Sequence, residues 1–224
     1  MPRSRPLPLL VTALSVAAGL TLSGCATAAP APVGTGDASL HPLGAGFLGS
    51  VTTPTPEATI DPKPGSWNGV EPPAGYEVVL ITAGDDAATK TLASGVTQWA
   101  GRRDVVLTTL TATGDDEVQT QLLRAIEKSP DLIVGAGAGV VDVFSLITAQ
   151  SLHQQFLVVG AELPEPTGNA TSVVWQGASF RGTGISTDDD RVPSSVTPAR
   201  AADAVSAGVA SVLHGLTGIV LHLG

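Results

Sequence analysis

Residue types able to bind a polar ligand stand directly after several apolar runs of this sequence. Asp85 and Asp86 follow one such run, and Glu162 follows another. Carboxylates accept hydrogen bonds from sugar hydroxyls, and together they hold cations. Asp at such a position also caps the helix that follows, because its side chain accepts from free backbone N–H groups. Both uses of the two aspartates stay open from the sequence.

A glycine run, Gly135-Ala-Gly-Ala-Gly139, lies between a predicted strand and a predicted helix. Backbone N–H groups at a helix N-terminus receive a phosphate, carboxylate or hydroxyl, and this makes Gly135, Gly137 and Gly139 candidate ligand-binding residues. The spacing differs from the dinucleotide fingerprint and no Lys follows, so a nucleotide motif is not met. A tight turn with close packing of helix on sheet is the alternative.

Trp175 and Gln176 stand at the end of another apolar run and are candidate ligand-binding residues. The Trp175 indole could stack on a base or on a ring, and the alternative is that it packs in the core. We predict no metal site, because the histidines lack paired ligand spacing. No nucleophile elbow, Ser/Lys pair or activated cysteine is present, which argues against a hydrolase, so we predict no catalytic residue. No cofactor is predicted either. Asp188, Asp189 and Asp190 lack the glycine and the bidentate acid of a calcium loop, which favours a solvated loop.

The elements that position these residues are predicted over residues 76–224. Apolar runs that predict buried strands alternate there with amphipathic helical patterns. The predicted strands are residues 78–81, 105–110, 131–135, 156–160, 171–175 and 218–224. The predicted helices are residues 87–100, 113–128, 140–152 and 197–215, the second of them opened by a capping box at Thr113-Gly114-Asp115-Asp116. Strands that are apolar throughout indicate a mostly parallel sheet with helices on both faces, so the predicted fold is a doubly wound α/β domain.

The N-terminal segment has the features of an export signal. Arg3 and Arg5 precede an apolar run, residues 7–20, that is shorter than the roughly 20 residues of a membrane span. Leu22-Ser23-Gly24-Cys25 resembles the bacterial lipobox, and Cys25 is the only cysteine. The resemblance implies a diacylglyceryl group on the Cys25 thiol and an anchor on the extracytoplasmic face of the cell membrane. A thiol used in this way forms neither a disulfide nor a catalytic nucleophile.

Charge and composition limit the partners of the chain. The formal net charge is −9, with 11 basic and 20 acidic residues, which disfavours nucleic acid and adhesion to anionic lipid. Residues 26–75 are rich in Pro, Gly, Ala and Thr and show no sustained apolar period. This composition predicts a disordered tether between the signal, residues 1–25, and the domain of residues 76–224.

The order of the predicted segments resembles the basic membrane protein family. The resemblance is carried by Asp131-Leu-Ile-Val-Gly-Ala-Gly, Gln155-Phe-Leu-Val-Val-Gly, Asn169-Ala-Thr-Ser-Val-Val-Trp and Gly177-Ala-Ser-Phe-Arg-Gly182. The resemblance implies a type 1 periplasmic-binding-protein fold, an ABC permease as partner, and a small polar ligand such as a nucleoside. The chain departs from the family after its first strand, where Asp85 is kept but the Phe and Asn of the family motif are missing.

The last predicted helix and strand resemble the family's crossover into a second lobe, so we expect a single lobe. Tight binding of a solute would then require a second chain to supply the opposing face, through the strand of residues 218–223 as an exposed edge open to a partner strand; the sequence leaves open whether such a chain exists. The leading functional hypothesis is a solute-binding-like lipoprotein in which capture is weakened or lost, and which is not an enzyme. The alternative is an accessory or scaffold lipoprotein that docks on a membrane partner without binding a small molecule.

Overall fold

A computed structural model describes residues 40–178 and 192–224 of the chain. The predicted signal, its Cys25 and residues 26–39 of the predicted tether lie outside the described residues. The same holds for the segment with Asp188, Asp189 and Asp190.

The described residues form a seven-stranded sheet in which every pair of neighbouring strands is parallel. The strands are β1 (Thr59–Ile60), β2 (Tyr76–Ala83), β3 (Val105–Ala112), β4 (Leu132–Ala136), β5 (Phe156–Val159), β6 (Ala170–Trp175) and β7 (Val220–Leu223). Their order across the sheet is β1-β7-β6-β5-β4-β2-β3. The chain therefore reverses its direction of winding between β2 and β4, as doubly wound sheets do.

Helices cover both faces of this sheet and bury a separate apolar core on each. They are α1 (Ala87–Gly101), α2 (Asp115–Lys128), α3 (Val141–Thr148) and α4 (Pro198–Leu213). Trp99 of α1 and Val205 of α4 belong to one core, while Leu122 of α2 and Phe144 of α3 belong to the other. The predicted α/β class with a parallel sheet is confirmed. None of the described helices is long and apolar enough to cross a membrane.

The third helix is shorter than its apolar pattern predicts. The pattern extends over residues 140–152, but α3 ends at Thr148. The buried side-chain amide of Asn169 donates to three carbonyls at and after the end of α3, those of Thr148, Ser151 and Gln154. A buried carbonyl needs a hydrogen-bond partner. The Asn169 side chain, distant in sequence, provides that partner here, so the chain does not need to continue the helix.

The prediction of a tether up to residue 75 is wrong for residues 40–75. Phe47, Ile60, Trp67 and Val70 are buried in the core that also contains α1 and α4. Arg103 adds an ion pair with Glu71 and lies 5.0 Å from the ring centroid of Trp99. The segment consists mostly of turns, so its apolar residues have no regular period, and a search for periodicity does not find them. The ordered domain therefore begins before residue 76.

The expected exposed edge at residues 218–223 is also wrong. β7 pairs with β6 on one side and with the short β1 on the other, in the register Thr59 with Val220 and Ile60 with Leu221. The Val220 N–H donates to the Ala58 carbonyl at 2.9 Å. The segment that was expected to be a tether thus supplies the strand that covers this edge.

Candidate functional site

Ligands of doubly wound sheets bind beyond the C-terminal strand ends, at the point where the strand order reverses. The loops after β4, β5 and β6 meet the first turns of α1 at this place. They form a small cleft lined by Ala88, Thr89, Leu92, Gly137, Ala138, Gly160, Gly177 and Val196. The volume of this cleft is ≈ 10 Å³, which is about the space of one water molecule. The predicted convergence of loops is present, but the described residues enclose no space there larger than about one water molecule.

Side chains and backbone of the same chain close this cleft. Leu92 of α1 lies against the end of β5, where a Cβ on Gly160 would come within 2.7 Å of the Leu92 Cδ1. Beyond β6, the Val192 N–H donates to the Gly177 carbonyl at 2.9 Å, and Val196 lines the cleft. Leu92 lies within the helix predicted over residues 87–100, whereas Val196 stands alone between the polar residues Ser195 and Thr197, so no apolar pattern includes it.

The two aspartates after β2 have different surroundings. One carboxylate oxygen of Asp86 accepts from the N–H groups of Ala88 and Thr89, and the other accepts from the Thr89 hydroxyl at 2.6 Å. Asp86 is therefore the N-cap of α1, which is the capping use left open by the sequence. Asp85 is exposed and does not line the cleft.

The glycine run permits close packing. Gly135 lies within β4, where a Cβ would come within 2.8 Å of Val140 and 3.0 Å of the Phe144 ring. A Cβ on Gly139 would come within 2.9 Å of the Ala83 carbonyl oxygen. Gly137 lines the cleft, but its N–H already donates to the Val159 carbonyl. The observed contacts of the run therefore match the packing alternative, and anion binding by it stays a prediction.

Trp175 belongs to the core and not to a ligand surface. Its side chain is only 2 % exposed, and its indole N–H donates to the Ser195 hydroxyl at 3.0 Å. An indole held in this way presents no face for a base to stack on. Gln176, the next residue, is exposed.

Glu162 forms part of a separate polar group at the sheet's β1–β7 side. The His222 Nδ1 lies 3.1 Å from an Asp61 carboxylate oxygen, and the Asp61 side chain is largely exposed. Burial raises the pKa of the half-buried Glu162 carboxyl, while its electrostatic interaction with His222 lowers that pKa. Asp61 and His222 are 161 residues apart, so no sequence spacing could reveal their proximity. No group of three or more His, Cys, Asp or Glu within residues 40–178 and 192–224 is placed to hold a metal ion.

We expect the Glu162→Gln variant to unfold at a higher temperature than the unmodified chain near pH 7. The raised pKa means that the folded state favours the protonated carboxyl, so the stability contributed by this group is complete at low pH. That stability is lost as the pH rises from the unfolded-state pKa through the raised folded-state pKa. Gln resembles the protonated form at every pH, so the difference between the two chains should vanish below about pH 4.

Thermal unfolding followed by circular dichroism from pH 3.5 to 8 measures this difference. The control is Glu165→Gln, which removes the same charge from an exposed position of the same loop. An equal stabilisation by both substitutions would attribute the effect to net charge and would contradict the burial of Glu162 as its cause.

Comparisons with known proteins give only distant similarities. No protein-family model matches the chain, and no curated protein matches it. A structure described as ABC transporter system solute-binding proteins from Aeropyrum pernix is 19% identical over 45% of this chain and 29% of its own, with a TM-score of 0.38. A periplasmic ribose ABC transporter from Conexibacter woesei is 13% identical over 67% of this chain and 54% of its own, with a TM-score of 0.39.

The chain spans less than a third of the first of these structures and about half of the second. At TM-scores below 0.5 the two similarities define neither a family nor a function for this chain. Its α/β class rests on its own sheet order and on the two helical layers.

Proposed function

We propose that the chain is a solute-binding-like lipoprotein, displayed on the outer face of the cell membrane, in which small-molecule capture at the sheet edge is weakened or lost. The observation that carries the proposal is the ≈ 10 Å³ cleft at the reversal point of the sheet. Pockets for small molecules generally measure about 300–1,000 Å³ and bury most of the ligand. The described residues offer no such enclosure at this edge.

The hydrogen-bond partners of Asp86 and of the Trp175 indole support the same proposal. The Asp86 carboxylate is engaged by the first turn of α1, and the Trp175 indole is bonded to Ser195. A ligand would have to displace Ser195 to reach the buried indole N–H, and the Asp86 carboxylate already accepts three hydrogen bonds from its own helix, which leaves it little acceptor capacity. Each broken contact would leave a polar group without its partner and so reduce the affinity.

A ligand screen on the purified chain tests this proposal. Adenosine, ribose and alanine are each added at about 1 mM and thermal unfolding is followed. A ligand with a micromolar dissociation constant would stabilise the fold by about 4 kcal/mol at this concentration, because it binds the folded state alone. We expect no ligand to stabilise the fold by more than this amount. The reason is that we expect no dissociation constant below roughly micromolar, which is a binding free energy near −8 kcal/mol.

A pair of variants tests whether the closed cleft is the cause. Val196→Ala removes two methyl groups from the lining of the cleft, whereas Val212→Ala removes the same groups from a half-buried position of α4 that does not line it. Any weak binding should tighten in the first variant and stay unchanged in the second. Nanomolar binding by the unmodified monomer would contradict the proposal and restore a receptor that captures its solute.

An accessory role without a ligand is the second candidate. Leu146 and Leu152 are 67 % and 63 % exposed at and just beyond the end of α3. Exposed apolar patches mark protein contact surfaces, so these two leucines are the candidate contact residues for this role. Genes for an ABC permease and its ATPase beside the gene of this chain would favour capture, and their absence would favour the accessory role.

A further inference from the structure

The two edges of the sheet differ in their protection. One edge strand, β1, has only two residues and is followed directly by Asp61 and Pro62. Short length, charge and proline are the features by which natural proteins prevent an edge strand from pairing with another chain. At the opposite edge, β3 has eight residues, Val-Val-Leu-Thr-Thr-Leu-Thr-Ala, with no charge, proline or glycine. Among the described strands, β3 pairs only with β2.

At every second residue of β3, the backbone N–H and C=O groups point away from β2, toward the open edge of the sheet. The Gly84 N–H donates to the Ala112 carbonyl at 3.0 Å, so the backbone groups of Ala112 face β2. Successive residues of a strand direct their N–H and C=O groups to opposite sides. The groups of Val105, Leu107, Thr109 and Thr111 therefore point outward, where they are open to a further strand.

We propose that β3 is the interface of a homodimer, in which the β3 edges of two copies pair antiparallel and join the two sheets into one. In an antiparallel pair, two residues that lie directly opposite each other have their side chains on the same face of the sheet, and the faces alternate along a strand. When a strand pairs with its own copy, this is possible only if the two-fold axis passes through a residue of β3 and not between two residues. An axis at Thr108 pairs all four outward-directed residues: Leu107 with Thr109 of the second copy, and Val105 with Thr111 of the second copy.

This register also covers exposed apolar surface. Val106 is an apolar residue of β3, yet it is 54 % exposed. With the axis at Thr108, Val106 lies beside Leu110 of the second copy, which packs against the apolar core of α2 and α3. Cross-strand pairs of apolar side chains are the units that stabilise a sheet. An axis at Thr109 would instead leave Val105 without a partner.

Charges at the two ends of β3 favour a second copy as the occupant. Arg102 follows the last residue of α1, is exposed, and makes no ion pair within the described part of the chain, and Asp104, exposed as well, directly precedes β3. Asp115 and Asp116 begin α2 just after β3 and are exposed as well. With the axis at Thr108, an antiparallel dimer places Arg102 of one copy opposite Gly114 of the other, beside its Asp115 and Asp116, whereas Asp104 lies opposite Ala112. A parallel arrangement would oppose like charges, which disfavours association.

Sedimentation velocity of the full chain tests the dimer. Cys25→Ser is included throughout, so that neither an acyl chain nor the native thiol contributes to association. We expect a dimer that dissociates on dilution. Thr109→Pro removes an outward N–H without touching the bonds to β2 and should weaken the dimer by at least about tenfold. Thr109→Val keeps the N–H and should leave association unchanged, and circular dichroism shows that each variant is folded.

Charge reversal and cross-linking test the register. Arg102→Glu should weaken the dimer, and the further changes Asp115→Arg and Asp116→Arg should restore it. Thr108→Cys should form a disulfide between copies, because this residue opposes itself at the axis, while Thr109→Cys opposes Leu107 and should not. A chain that remains monomeric at all concentrations would overturn the dimer, and cross-linking through Thr109→Cys alone would overturn the register.

Discussion

The Trp67→Ala variant should lose about 3–5 kcal/mol of unfolding free energy, the usual cost of removing a large aromatic side chain from a core. Trp67 is 5 % exposed and packs in the same cluster as Phe47, Ile60 and Trp99. A residue in a disordered tether would contribute nothing of this size. The loss corresponds to a melting temperature lower by about 10 °C for a domain of this length. Chemical denaturation of the purified chain measures the free energy.

Asn68→Ala is the matched control for this prediction. Asn68 is the next residue, is exposed, and lies in the same turn, so its replacement should change stability by no more than about 0.5 kcal/mol. If Trp67→Ala were as mild as Asn68→Ala, residues 40–75 would not be part of the folded domain. The ordered domain would then begin at residue 76, as the proline content of the segment predicts.

The Cys25→Ser variant should abolish lipid attachment completely. We propose that Cys25 is the acceptor of the lipid, because it is the only cysteine and follows a charged, apolar and small-residue segment in the order of an export signal. A serine hydroxyl cannot replace the acceptor thiol. Stable anchoring needs two or more acyl chains, so the unlipidated chain should leave the membrane fraction.

Labelling with radioactive palmitate, together with membrane fractionation, measures this loss in cells. Ala26→Ser serves as the control, since it places a serine next to an intact Cys25 and should still be labelled. A Cys25→Ser chain that still carries label and pellets with membranes would disprove the lipoprotein assignment.

Most regular elements of the domain follow from local patterns. The apolar runs at residues 78–81 and 171–175 lie in β2 and β6, the run at residues 156–160 extends one residue past β5, and the patterns at residues 87–100 and 113–128 match α1 and α2 to within two residues at each end. A strand buried on both faces must be apolar at every position, and a helix on a sheet must be apolar at intervals of three and four residues. These constraints act within a few residues of each other, so the sequence determines the elements and the α/β class.

Only the tertiary structure decided the edges of the sheet and the contents of the cleft. Phe47, Ile60 and Trp67 are scattered through turns, and their burial depends on a core built by residues far along the chain. β1 covers β7 through a pairing between Ile60 and Leu221, and no local pattern encodes such a distant pairing. Leu92 closes the cleft because α1 crosses the end of β5 closely, at Gly160. The sequence thus determined which segments form strands and helices, whereas contacts between distant segments decided which surfaces stay open to partners.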